Sequence, residues 1–151
     1  MKTDFDFFIG TWNSRHRRLR KVLAGCDEWD EFPGATRCWG VLDGAGNIDE
    51  ILFPTLGYGG LTVRLWDEQR YEWSLYWANS RTGLALPPQV GRFTDGVGVF
   101  TGDDEYGGRP VQVVYRWSEI TPRSCRWEQA FSADGGRTWE TNWISEFERT
   151  G

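Results

Sequence analysis

The chain is poor in the residues that mark metal, redox and exported proteins. It has one His, His16, one Met and three Cys, namely Cys26, Cys38 and Cys125. An odd number of Cys without ligand-like spacing argues against a disulfide framework and against a zinc site, and it suits a reducing cytoplasm. No second His, paired Cys or clustered carboxylate set is present to hold a transition metal, so neither a metal nor another cofactor is expected. No apolar run approaches the roughly 18 residues that a membrane-spanning helix needs, and Met1-Lys-Thr-Asp-Phe-Asp6 lacks the apolar core of an export signal. The expectation is a cytoplasmic protein without a membrane partner. Positive charge is outnumbered as well, 17 Lys and Arg against 22 Asp and Glu. A net charge of −5 and a pI near 4.9 argue against a broad phosphate-binding face, and so against nucleic acid as a partner.

What the chain has instead is rings and glycine. Ten Trp and 19 Gly stand in a sequence that is only 39% hydrophobic but 16% aromatic, so its apolar area comes from a few large side chains. Aromatic and β-branched runs broken by Gly, Asp or Pro favour strands and tight turns over helices. The length, without a linker-like shift in composition, fits one domain over residues 1–151. Candidate strands lie near 11–22, 28–42 with a bulge at Pro33-Gly34, 47–53, 58–66, 70–79, 89–94, 97–102, 109–119, 123–132 and 137–149. Between them, Asp43-Gly-Ala-Gly46, Asp67-Glu68, Asp95-Gly96, Gly107-Gly108, Thr121-Pro122 and Asp134-Gly-Gly136 carry turn chemistry. Asp4 to Ile9 reads as one helical turn capped by Thr3 or Asp4, able to plug an open end, with Gly10 as its breaker. Ten strands with short connections leave exposed edges unless the first and last meet. The expected fold is therefore all-β: an antiparallel, up-and-down β-barrel of about ten strands with a short N-terminal helical turn.

The two ends carry the most distinctive residues. Phe8-Ile-Gly-Thr-Trp12 resembles the Gly-x-Trp opening of the calycin superfamily, which includes lipocalins, fatty-acid-binding proteins and nitrobindin-like domains. With Trp127-Glu-Gln-Ala-Phe-Ser132 and Asp134-Gly-Gly-Arg-Thr-Trp-Glu-Thr-Asn-Trp143, most of the chain is similar to a family of small bacterial calycin-like domains. The resemblance implies a barrel whose cavity takes a small, mostly apolar molecule. It also implies that Trp12 packs inward at the floor with an Arg over it, for which Arg149 is the candidate. Nitrobindin-like proteins hold haem through a His late in the chain, whereas His16 is on the first strand, which speaks against haem. Ser132-Ala-Asp-Gly-Gly-Arg-Thr-Trp139 also resembles the Asp-box hairpin of sialidase-type propellers, but a single copy serves as a stable turn.

With Trp12 inward, period-two alternation turns Ser14, His16 and Arg18 to the same face. An even strand number sets the last strand antiparallel to the first, which returns Arg149 to Trp12, Ser145 to His16 and Trp143 to Arg18. A four-residue loop at 133–136 would turn Arg126 and Glu128 inward, whereas an odd loop with a bulge would turn in Trp127 and Gln129. Aromatic walls are expected from Trp73, Tyr76, Trp77, Tyr115 and Trp117.

These residues support two readings. In the first, a binding module holds a small hydrophobic or aromatic molecule with a polar end, stacked on Trp and anchored by His16, Arg18, Arg126 or Glu128. In the second, a metal-free and nucleotide-free isomerase, cyclase or hydratase uses His16 and Glu128 as a proton-shuttling pair. Asp43, Asp49 and Glu50 fit no calcium loop and read as turn formers. Cys38 and Cys125 read as buried small residues. The basic stretch Arg15-His-Arg-Arg-Leu-Arg-Lys21 alternates between faces on a strand and reads as a solvated face. A homodimer is left open.

Overall fold

Alternating aromatic and small or polar residues form one continuous antiparallel sheet in the computed structural model, which describes all 151 residues. Its strands are β1 (Gly10–Leu19), β2 (Trp29–Val41), β3 (Gly46–Phe53), β4 (Tyr58–Asp67), β5 (Glu72–Asn79), β6 (Gly83–Leu84), β7 (Gln89–Thr94), β8 (Val97–Tyr106), β9 (Arg109–Ser118), β10 (Ser124–Ser132) and β11 (Glu140–Arg149). Ten of them close a ring, in which each pairs with its sequence neighbour, β5 skips to β7, and β11 returns to β1. The closing register is Trp12 opposite Arg149, His16 opposite Ser145 and Arg18 opposite Trp143. The two-residue β6 is an addition to the meander and lies against the end of β5. The ring is thinnest beside it, where β5 and β7 share only the pairs Trp73–Gly91, Ser74–Val90 and Leu75–Gln89.

Two local expectations are corrected. The β1–β2 register runs unbroken from Gly10–Cys38 to Leu19–Trp29, so Pro33-Gly34 makes no bulge. Pairing of β2 with β3 begins only at Ala35, so Pro33 stands where β2 has a single neighbour and a missing N–H is tolerated. Gly34 is required for another reason: a Cβ there would lie 2.6 Å from both His16 Nε2 and Ser14 Oγ. The N-terminal turn is a 3-10 turn, Asp6–Phe8, without a side-chain cap. Asp4 Oδ2 instead accepts from Trp73 Nε1 at 3.2 Å and from the N-terminal amine at 2.6 Å.

That turn plugs one end of the barrel. Phe5 and Phe8 are both 1% exposed, and Phe5 packs against Trp73, Phe93, Phe100 and Trp117 at ring-centroid distances of 5.0 to 6.0 Å. Arg149 locks the plug to the last strand. Its guanidinium lies 4.2 Å from the Trp12 ring, and it donates to the carbonyls of Ile9 at 2.6 Å, of Pro122 at 2.9 Å and of Phe7. Gly10 makes this approach possible, because its φ of +130° disfavours a side chain and a Cβ would stand 2.5 Å from Arg149 Nη1. Replacing Arg149 by Gln is expected to lower the unfolding free energy by about 3 kcal/mol, since several charge-assisted bonds to carbonyls are lost. Arg149→Lys should recover little of this, because an ammonium cannot fork. Urea midpoints measure both, and a Lys variant as stable as the parent would mean that charge alone closes the ring.

Candidate functional site

Above the plug the barrel is hollow. The cavity measures about 470 Å³ and is walled by Trp77, Trp117, Trp127 and Trp143 with Tyr76, Tyr115, Phe53 and Phe147. It reaches toward the opposite end, where Asp104, Tyr106 and residues of the β5–β7 connection, among them Ala85, Leu86 and Pro87, line it. Part of that end is stopped by its own side chains: Val111, Val113 and Phe131 pack with Val22 and Leu23 of the β1–β2 connection.

His16 lies in the cavity wall, 2% exposed, stacked on Phe32 at 5.2 Å and 5° between planes. Trp143 Nε1 donates to its Nδ1 at 3.1 Å, with Ser145 Oγ at 2.7 Å from the same nitrogen. An indole N–H can only donate, so Nδ1 is the acceptor, and the ring proton sits on Nε2, facing Ser14 Oγ at 2.7 Å. Burial, and secondarily the nearby Arg18 charge, lowers the His16 pKa to about 4. His16 is therefore a neutral imidazole at pH 7 with both nitrogens engaged.

Of the two alternatives for β10, the structure has the one that turns Trp127 and Gln129 inward, so Arg126 and Glu128, candidates for the cavity, do not face it. The β10–β11 register slips between Gln129 and Ala130, leaving Asn142 as the extra residue on β11. That bulge resets the alternation: Trp127 and Gln129 line the cavity, and Gln129 Nε2 donates to Asn142 Oδ1 at 2.8 Å. Arg126 and Glu128 lie on the outer face, 3.5 Å from each other, with Arg126 also 2.8 Å from Glu146. The His16–Glu128 pair of the catalytic reading does not form. Of the remaining candidates, His16, Tyr76, Trp77, Tyr115, Trp117, Trp143 and Ser145 line the cavity. Ser14 stands behind His16, Trp73 belongs to the floor beside Phe5, and Trp12 lies beneath Arg149. Arg18 does not line the cavity. Its Nη1 donates to Tyr58 Oη at 3.0 Å, and its guanidinium packs 5.0 Å from the Phe32 ring and 5.1 Å from that of Trp143.

The main group that pattern reading missed is a buried ion pair between Arg64 and Asp49, whose side chains are 3% and 6% exposed. Asp49 is no turn former; it sits within β3, opposite Thr62. Arg64 donates to the Asp49 carboxylate and to Asn47 Oδ1 at 2.8 Å, and it lies 4.9 Å from the Phe5 ring and 5.6 Å from that of Trp117. Burial pushes the Asp49 carboxyl up, while Arg64 pulls it the other way. The sequence clue was parity: Thr62, Arg64 and Trp66 share a face of β4, which puts a charge among inward positions. Gln89, also missed, lines the cavity at 6% exposure.

Three further features are structural. Burial pushes the thiols of Cys38 and Cys125 up to about 12, which makes them inert. Asp134 accepts from the backbone N–H groups of Arg137 and Thr138 and from the hydroxyls of Ser132 and Thr138, as an Asp-box turn requires. In the basic stretch, Arg20 pairs with Glu28 at 2.8 Å and with Asp30 at 3.0 Å. No helix is long and apolar enough to cross a membrane.

The fold is similar to that of the S-type phycobiliprotein lyase CPES from Guillardia theta, at 14% sequence identity over 97% of this chain and 90% of that one, with a TM-score of 0.62. No protein-family model matches the sequence, and no curated protein matches it. The fold is a closed, all-β, calycin-like barrel.

The buried neutral imidazole has a measurable consequence. The unfolded chain takes up the His16 proton near pH 6.5, whereas the folded protein takes it up only near pH 4. Between those values the unfolded state holds more protons, so stability is full above pH 6.5 and falls as the pH drops toward 4. The loss attributable to His16 should reach about 3 kcal/mol. Denaturation of wild type and His16→Gln across this range measures it as the difference between the two slopes. Parallel curves would remove His16 as the source.

Proposed function

We propose that the barrel is a binding module that holds a small hydrophobic or aromatic molecule with a polar end. One observation carries this reading: a hollow of about 470 Å³ walled by four indoles, within the roughly 300–1,000 Å³ range of small-molecule sites. Such walls give affinity through apolar burial and ring stacking, and a few polar groups, Gln89, Tyr115 and Gln129 among them, give orientation. The likeness in fold to a phycobiliprotein lyase accords with a barrel that handles a small molecule. The motifs at both chain ends support kinship with the small bacterial calycin-like domains, and three free thiols accord with a reducing cytoplasm. A proton-shuttling enzyme has less support, since the His16 lone pair is taken and Glu128 faces outward.

A ligand in this cavity should quench the Trp fluorescence on saturation and be recovered unchanged. Native mass spectrometry of protein purified from its source should show a retained small molecule. Trp127 packs 5.3 Å from Tyr115 and 5.9 Å from Trp143, and Trp127→Ala should weaken binding about tenfold, roughly the value of one aromatic contact. Absence of a retained molecule, together with unchanged fluorescence across a panel of apolar and aromatic compounds, would overturn the reading.

A further inference from the structure

The cavity has a charge balance as well as a shape. We infer that the molecule it holds is uncharged, an aromatic or other apolar compound whose polar end is a carbonyl, amide or hydroxyl group, and that carboxylates and sulfonates are selected against. This rests on the reading of the barrel as a binding module and specifies the class of ligand.

Each cationic or basic group near the hollow is already committed. Arg64, the inward-facing guanidinium, is neutralised by Asp49, its Nη1 is used by Asn47, and its Nε is sealed without access to the cavity. His16 is uncharged, with one nitrogen facing Ser14 and the other Trp143 and Ser145. Arg18 has no carboxylate partner, but it donates to Tyr58 Oη and packs against the rings of Phe32 and Trp143, and it is not among the residues that line the cavity. The outer end adds a negative group, because Asp104 lines the cavity there. An anion entering would thus meet the unpaired carboxylate of Asp104 and no cation free on the lining, and a buried charge without a partner is strongly disfavoured.

The groups that remain free are neutral. The Gln89 side chain is 6% exposed, lines the cavity, makes no hydrogen bond within the protein and is not among the sealed polar groups. A carboxamide offers both donor and acceptor, which suits carbonyl, amide and hydroxyl partners equally. The Tyr115 hydroxyl is also unpaired, and burial with the nearby Asp104 charge pushes its ionisation up, so it is a neutral donor. Gln129 uses its amide nitrogen on Asn142 and leaves its carbonyl oxygen free.

A pair of dyes that differ by one sulfonate group tests this: N-phenylnaphthylamine, which is neutral, and anilinonaphthalene sulfonate, its anionic counterpart. Titrated into the full-length protein, with energy transfer from Trp reporting proximity, the amine should bind at least about tenfold more tightly than the sulfonate. Asp49→Asn, which leaves the Arg64 charge unopposed, should narrow that gap in favour of the sulfonate. Gln89→Leu should weaken a neutral carbonyl-bearing aromatic, such as an acylnaphthalene, more than naphthalene itself. Equal or tighter binding of the sulfonate, abolished by Arg18→Gln, would overturn the inference and make Arg18 the anchor of an anionic ligand, with the binding-module reading intact. Binding of neither dye, nor of any compound of the apolar and aromatic panel, with no retained molecule in the purified protein, would remove the reading itself, and the inference with it.

Discussion

One guanidinium ties the ends of this chain together, and the hollow above depends on it. Arg149 lies on the face of Trp12 while its N–H groups reach carbonyls on both sides of the closing seam, those of Phe7 and Ile9 before β1 and that of Pro122 before β10. With the turn pinned, Phe5 and Phe8 fill that end of the barrel and give the Trp117 and Phe147 rings something to pack against. Below that layer the interior is close-packed rings. Above it, the same kinds of side chain stand around space.

The polar groups of the interior divide accordingly. Some pair with one another: Arg64, apart from its Nε, with Asp49 and Asn47, and His16 with Ser14, Ser145 and Trp143. A buried ion pair of this kind adds little net stability, because desolvation offsets the attraction, but losing one partner would leave a costly unpaired charge. The imidazole behaves as a rigid polar ring that happens to be flat enough to stack on Phe32. It resembles its aromatic neighbours in packing and differs from them in fixing two serines and an indole.

Much of the architecture was legible in the chain. Glycine and aspartate turns at regular spacing fixed the strand count, and simple parity gave the β1–β11 pairs. The inward face of β1 follows from the same count. Parity failed where a single extra residue entered the ladder. Nothing in Glu140-Thr-Asn-Trp143 marks Asn142 as a bulge, since Asn is not restricted to such positions, yet the slip decides whether Trp127 or Glu128 meets the cavity. The Arg64–Asp49 pair was hidden for a different reason: its partners lie on separate strands, and their meeting depends on the β3–β4 register. The second strand ran against expectation too, because proline at a singly paired position leaves a regular ladder intact.

The uneven stitching of the ring has a mechanical result. Most neighbouring strands share seven or more residue pairs, but β5 and β7 share three, and the remaining length of β5 is covered only by the short β6 and the Leu84-Ala-Leu-Pro-Pro88 crossing. Local opening concentrates where the fewest backbone bonds must break. Parting that joint would bare the Trp77 end of the hollow without disturbing the Arg149 clasp on the far side of the wheel.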